Sequence, residues 1–246
     1  DYEASERTCR RAIELDEAVG ASPGITVGRY TNLALALEGQ GEFQEAAEVL
    51  RRALAIQDGL VAPNLIERAL VEGNLARILA SLGKTDEAEP IARTGLRRMQ
   101  DVLDARHDNV AIMLVNLGRV HEATGSYNEA LAAYEVALDI QRETLGADHP
   151  LAITTLNNVG VTHARAGRLG RAVPLLREAL ERRRRTQGED HAEVAVGLGN
   201  LAALEDRQGR TVEAIPLYRE AIRGNVLCCG NQVRHQDADQ SEFRFH

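Results

Sequence analysis

The residues with the sharpest chemical meaning are five asparagines. Asn32, Asn74, Asn116, Asn158 and Asn200 recur every 42 residues. An asparagine side chain offers both a donor and an acceptor. A regular row of them can pair with the backbone of an extended peptide whatever its side chains. Four arginines, Arg77, Arg119, Arg165 and Arg207, lie three or seven residues further on, where a helix brings them to the same face. A guanidinium there would recognise a carboxylate with two parallel hydrogen bonds. Glu38, Glu122 and Asp206 lie close to that face, so the row is not purely cationic. The alternative role for the asparagines is architectural, as bonds between neighbouring helices that set the pitch of a stack.

Other reactive residue types carry less. His107, His149 and His191 keep the same 42-residue spacing. One period apart in successive linkers, they cannot converge on a metal, and they read as linker and capping residues. His121 and His163 share one core-side slot and read as packing residues. The run Glu181–Arg185, ERRRR, reads as a solvated face near a helix C-terminus, where positive charge suits the helix dipole. Cys228 and Cys229 are adjacent and Cys9 stands alone, which gives neither a zinc motif nor a disulfide framework. No catalytic triad spacing, phosphate-binding loop or nucleotide fingerprint appears. The sequence therefore points away from an enzyme and implies no cofactor and no metal.

These residues need elements to position them, and the period supplies the elements. Gly41, Gly83, Gly125, Gly167 and Gly209 repeat in phase with the asparagines, and so do Ala46, Ala88, Ala130, Ala172 and Ala214. In the third unit, Leu114, Leu117 and Val120 recur at helical spacing. The spacing predicts a first helix over about 110–124, ended by Gly125 in a left-handed conformation. Ser126 is placed to cap a second helix over about 127–144, with Glu129 three residues on. Ala130, Tyr134, Ala137 and Leu138 form its apolar stripe. In LGADHP, Asp148 is placed to cap the next helix and Pro150 to open it. Ala34, Ala76, Gly118, Gly160 and Ala202 mark a small-residue slot where two helices cross closely. Pro90, Pro174 and Pro216 are expected as first-turn residues or mild kinks.

The combination of NLG, a helix-ending glycine, EA and AL resembles the tetratricopeptide repeat. The 42-residue unit with LGADHP linkers resembles its kinesin light chain type. That resemblance implies an all-α fold, a right-handed superhelix (α-solenoid) of antiparallel helix pairs. It also implies a groove lined by the first helices, where the asparagines would face a ligand. Its lysine clamp for C-terminal carboxylates is not matched, because Lys84, the only lysine, sits in a turn. Residues 1–19 read as the second helix of a truncated preceding repeat. Residues 25–223 read as five units, the last shortened. Residues 224–246 lack the repeat pattern and are expected to be a disordered tail or a loose polar cap.

Composition sets the outer limits. The formal net charge is −8, against the basic footprint that nucleic-acid binding needs. No apolar run reaches membrane-spanning length. Arginine in place of lysine fits a GC-rich bacterial genome, and the cysteine usage fits the cytoplasm. The expected function is a scaffold that binds a protein or an extended peptide. The alternatives are a sensor arm of a larger bacterial signalling protein, a kinase or nucleotide-switch ATPase, and a self-associating array that stacks through its end repeats.

Overall fold

The computed structural model describes residues 2–189 and 191–228. Among them are eleven helices and no strand. They are α1 (Tyr2–Val19), α2 (Pro23–Gly39), α3 (Phe43–Asp58), α4 (Leu65–Ser81), α5 (Thr85–Val102), α6 (Asp108–Ala123), α7 (Tyr127–Thr144), α8 (Pro150–Arg165), α9 (Leu169–Gln187), α10 (Ala192–Arg207) and α11 (Thr211–Cys228). The chain divides into two compact units, Asp1–Ala133 and Tyr134–His246, with the division inside α7.

The turn within each hairpin follows from its glycine. At Gly125 the backbone takes φ 75°. The Gly125 amide donates to the Glu122 carbonyl and the Ser126 amide to the His121 carbonyl. That closes α6 with the two crossed bonds of a glycine-terminated helix. The four counterparts of Gly125 also have positive φ. Ser126 precedes α7 and its carbonyl accepts the Ala130 amide, while its hydroxyl accepts from Thr124 Oγ1.

In the first unit, α2 packs on α3 and α4 on α5, while α3 meets α4 and α5 meets α6. In the second, α8 packs on α9 and α10 on α11, with α9 against α10. The small-residue slots are the crossing points: Ala34, Ala76 and Ala202 are buried, as are Ala46, Ala88, Ala130, Ala172 and Ala214. A side chain added at Gly160 would lie 2.7 Å from Leu176 Cδ2, so the missing methyl is what admits α9.

Three expectations are corrected. Pro90, Pro174 and Pro216 lie inside α5, α9 and α11, in the second turn rather than the first, and each helix runs on beyond them. Asp148 is not the cap of α8. His149 is, its Nδ1 accepting the Leu151 amide, while Asp148 pairs with Arg182 and Arg185. The last helix continues to Cys228, past Gly224 where the repeat pattern stops. Residues 229–246 of the expected tail lie outside the described residues.

Candidate functional site

The Asn face is built by the first helix of each pair. In the first unit, Asn32 on α2 is exposed, Asn74 on α4 is half-buried, and Asn116 on α6 is 5% exposed. In the second unit, Asn158 on α8 and Asn200 on α10 are half-buried. Among the described residues, none of these five side-chain amides has a hydrogen-bond partner. None is sealed from solvent either. Each therefore has its donors and acceptor open to solvent.

The depth of Asn116 has a local cause. It packs against Gly73 of α4, where an added methyl would lie 2.8 Å from Asn116 Nδ2. The same methyl would lie 2.7 Å from Met113 Sδ, and a methyl on Gly95 would lie 2.7 Å from Met113 Cε. Two glycines thus open the space that Met113 fills between α4, α5 and α6.

The arginines divide. Arg119, Arg165 and Arg207 are exposed. Arg77 is different: its side chain is 11% exposed and in salt-bridge contact with Glu38, which ties α4 to α2. Burial, with Arg119 adding to it, pushes the Arg77 guanidinium down to about 9. Arg77 reaches a ligand carboxylate only by exchanging Glu38 for it.

The basic run 182–185 is not a uniformly solvated face. Arg182 and Arg185 both pair with Asp148. Arg184 meets Glu189 and Glu220. Arg183 is 4% exposed, its guanidinium donating to Thr154 Oγ1 at 2.9 Å and pairing with Glu193 at 3.1 Å. Thr154 lies one turn from Asn158 on α8, and Arg183 thus joins α8, α9 and α10. Burial lowers its pKa, and Glu193 works against that. The signal for this was present in the sequence: position 183 continues the series Gln57, Met99 and Gln141, and all four are buried.

The histidine series caps helices. Nδ1 of His107, His149 and His191 accepts the amides of Asn109, Leu151 and Glu193, at the starts of α6, α8 and α10. Burial pushes His121 and His163 below the usual imidazole range. His163 lines a cleft of about 470 Å³ in the second unit, with Leu156, Val159 and Pro174 on its apolar wall and Glu135 and Arg142 at its side. Among the described residues, no cluster of histidine, cysteine and carboxylate side chains could hold a metal. No described helix is long and apolar enough to cross a membrane.

Family models of the tetratricopeptide repeat match residues 66–143, 110–185 and 152–224, and a further one matches 26–57. The chain belongs to the tetratricopeptide-repeat family. Its fold is the all-α solenoid class of that family. BtubC (BKLC) of P. vanneervenii superposes with TM-score 0.72 at 21% identity, over 92% of this chain and 91% of that one. A Rap protein complexed with competence and sporulation factor gives 0.73 at 14% identity, over 98% and 67%. NprR in complex with its cognate peptide NprX gives 0.70 at 16% identity, over 99% and 66%. No curated protein sequence matches this tetratricopeptide-repeat chain.

Proposed function

We propose that the chain is a peptide receptor, in which the first-helix face carrying Asn32, Asn74, Asn116, Asn158 and Asn200 holds an extended segment of a partner protein. The observation that carries this reading is the unused hydrogen-bonding capacity of that row. Three amides recur on the first-helix face of the first unit and two on that of the second, and none has a partner among the described residues. Asparagines that served only to join helices would be bonded to those helices. An extended backbone presents a donor and an acceptor at every residue and suits a row of primary amides. Each such bond is worth roughly 0.5–1.5 kcal/mol net, so several are needed for useful affinity. Arg119, Arg165 and Arg207 add selectivity for acidic side chains. Two structural neighbours carry a peptide or a sporulation factor in their complexes, which fits this use of the fold.

The test compares the chain with an Asn74/Asn158/Asn200→Ala variant on a random peptide array, after circular dichroism has shown equal helicity. These three amides are more open than Asn116, so their removal disturbs packing least. A peptide class bound by the parent and lost in the variant supports the reading. Equal binding by both, or binding by neither, overturns it.

A further inference from the structure

The cleft beside His163 holds polar groups that nothing in the chain uses. Residues of α7, α8 and α9 line it, Leu138, Leu156, Val159 and Pro174 make its apolar wall, and Asn158 does not line it. Gly170 stands at its edge, where an added side chain would meet nothing within 4 Å. His163 itself is 6% exposed, and its ring makes no hydrogen bond among the described residues. Its Nδ1 is sealed from solvent without a partner, whereas its Nε2 is not sealed. Nε2 is therefore the ring atom that opens toward the cleft. Burial, with Arg168 and Arg171 adding to it and Glu135 opposing, lowers the imidazole pKa and keeps the ring neutral. A sealed N–H without an acceptor is tolerated less than a bare lone pair, so the single proton belongs on Nε2. His163 thus offers the cleft a hydrogen-bond donor.

One unit later the same two slots show what such a gap can hold. Glu205 on α10, in the slot of His163, accepts from Arg177 Nη2 at 2.5 Å, and Arg177 on α9 is in the slot of Glu135. Those two slots therefore face each other across the gap. There an internal ion pair closes it. Between α7 and α8 a neutral imidazole and a carboxylate take the same places, no bond joins them, and the gap stays open.

The charges at the rim select the ligand. Glu135 and Asp139 lie one turn apart on α7, both exposed and without an ion-pair partner among the described residues. Arg171 on α9 is likewise exposed and unpaired, and Arg142 is 3.6 Å from Glu178. Two carboxylates against two guanidiniums leave the cleft without net charge, so an ionised ligand gains little. A neutral tip must instead accept from His163 Nε2 and donate to Glu135. A hydroxyl does both through one atom, and its bond to a carboxylate is of the stronger, charge-assisted kind. The apolar wall calls for a ring behind that hydroxyl.

We propose that this cleft is a subsite for a phenolic ring, whose hydroxyl accepts from His163 Nε2 and donates to Glu135 while the ring lies against Leu138, Leu156 and Pro174. The subsite does not depend on the Asn face, so either can fail without the other.

Titration of p-cresol into the full chain carrying isotope-labelled histidine, followed by NMR, tests this. The ring nitrogens of His163, assigned by their loss in His163→Leu, should shift saturably, and those of His121 should stay in place. His163→Leu copies Leu37 and Leu79 in the same slot and should keep the fold. Saturation-transfer titration should show it binding p-cresol roughly three- to tenfold more weakly than the parent, the worth of one hydrogen bond. Toluene, which lacks the hydroxyl, should bind the parent more weakly by a similar factor. N-acetyltyrosinamide separates the two sources of such a ring: affinity matching p-cresol supports the subsite with a partner's tyrosine as occupant, and its exclusion supports the subsite with a free phenol. No saturable shift at His163, an affinity unchanged in His163→Leu, or toluene binding as tightly as p-cresol overturns the proposal.

Discussion

Gly73 and Gly199 occupy the same slot of the repeat, in α4 and α10, and the same substitution should change stability in opposite directions there. Replacing either by alanine gains intrinsic helix stability of roughly 0.5–1 kcal/mol. At Gly199 the new methyl meets nothing within 4 Å, so the gain stands. At Gly73 it would lie 2.7 Å from Met113 Sδ, 2.8 Å from Met113 Cε and 2.8 Å from Asn116 Nδ2. Met113 is 0% exposed, and its other side is already pressed into the space at Gly95, so it cannot move aside cheaply. Overpacking of this kind costs about 1–3 kcal/mol. The net expectation is that Gly199→Ala stabilises by up to about 1 kcal/mol and Gly73→Ala destabilises by up to about 2 kcal/mol. Thermal melts followed by circular dichroism read both, since 1 kcal/mol moves a chain of this size by about 2–4 °C. Native-state hydrogen exchange then places the loss at Gly73 in the first unit. Truncating Met113 to alanine in the Gly73→Ala background should recover part of the loss, a coupling that independent sites would not show. Equal stabilisation by the two alanines would refute the packing of Met113 and Asn116 on Gly73.

Acid should weaken the fold through His121 and His163. Burial holds both imidazoles below 6.5, so their contribution is complete above that value and is lost as pH falls through it. His121→Leu with His163→Leu, which copies Leu37 and Leu79 in the same slot, should flatten the melting temperature between about pH 7 and 5; an unchanged slope would count against burial as the cause. His149→Ala should cost about 1 kcal/mol by removing the cap of α8, and His149→Asn should keep most of it, as urea titration would show. Glu205 is 0% exposed and holds Arg177 and Arg210 at 2.5 Å each. Replacing both arginines by methionine strands the buried carboxylate and should cost several kcal/mol, while Glu205→Leu should be near neutral, because exchanging a buried pair for apolar packing often is. Chemical denaturation of the two variants separates these cases.

The repeat made the elements legible. Gly125 ends α6 at positive φ, and α7 covers the range expected from its stripe, because both depend on local periodicity and turn chemistry. The polar side of the structure was less legible. Asp148 and His149 are adjacent and both plausible caps, and only the path of the chain decides that His149 turns inward to the Leu151 amide. Arg183 looked like one of four solvated arginines, yet its slot faces the following first helix. The phase of the repeat identifies which slots are buried, as with Gln57, Met99 and Gln141. It does not identify which residues from three different helices meet there. Asn116 illustrates the same limit: its depth depends on Gly73, 43 positions earlier in the chain and in another unit of the repeat. Arg77 was legible as an arginine on the Asn face, but its contact with Glu38 required the neighbouring helix.

The polar residues buried between repeats also bear on how such a chain avoids assembling out of order. Units this similar invite a first helix to dock on the wrong second helix, one period away. Gln57 donates to Glu67 at 2.7 Å, joining α3 to α4, and Arg183 meets Glu193 in the matching position between α9 and α10. The same slot on α5 is Met99, which offers no donor. If α4 slid onto α5 in that role, Glu67 would face a thioether and lose its partner. If α10 docked where the slot holds methionine, Glu193 would lose its partner in the same way, and Arg183, 4% exposed, would be left as a buried charge without its carboxylate, which is penalised strongly. The irregular sequence Gln, Met, Gln, Arg down one slot thus works as a set of keys, each admitting its own neighbour, and it gives a nearly periodic chain a single order of stacking.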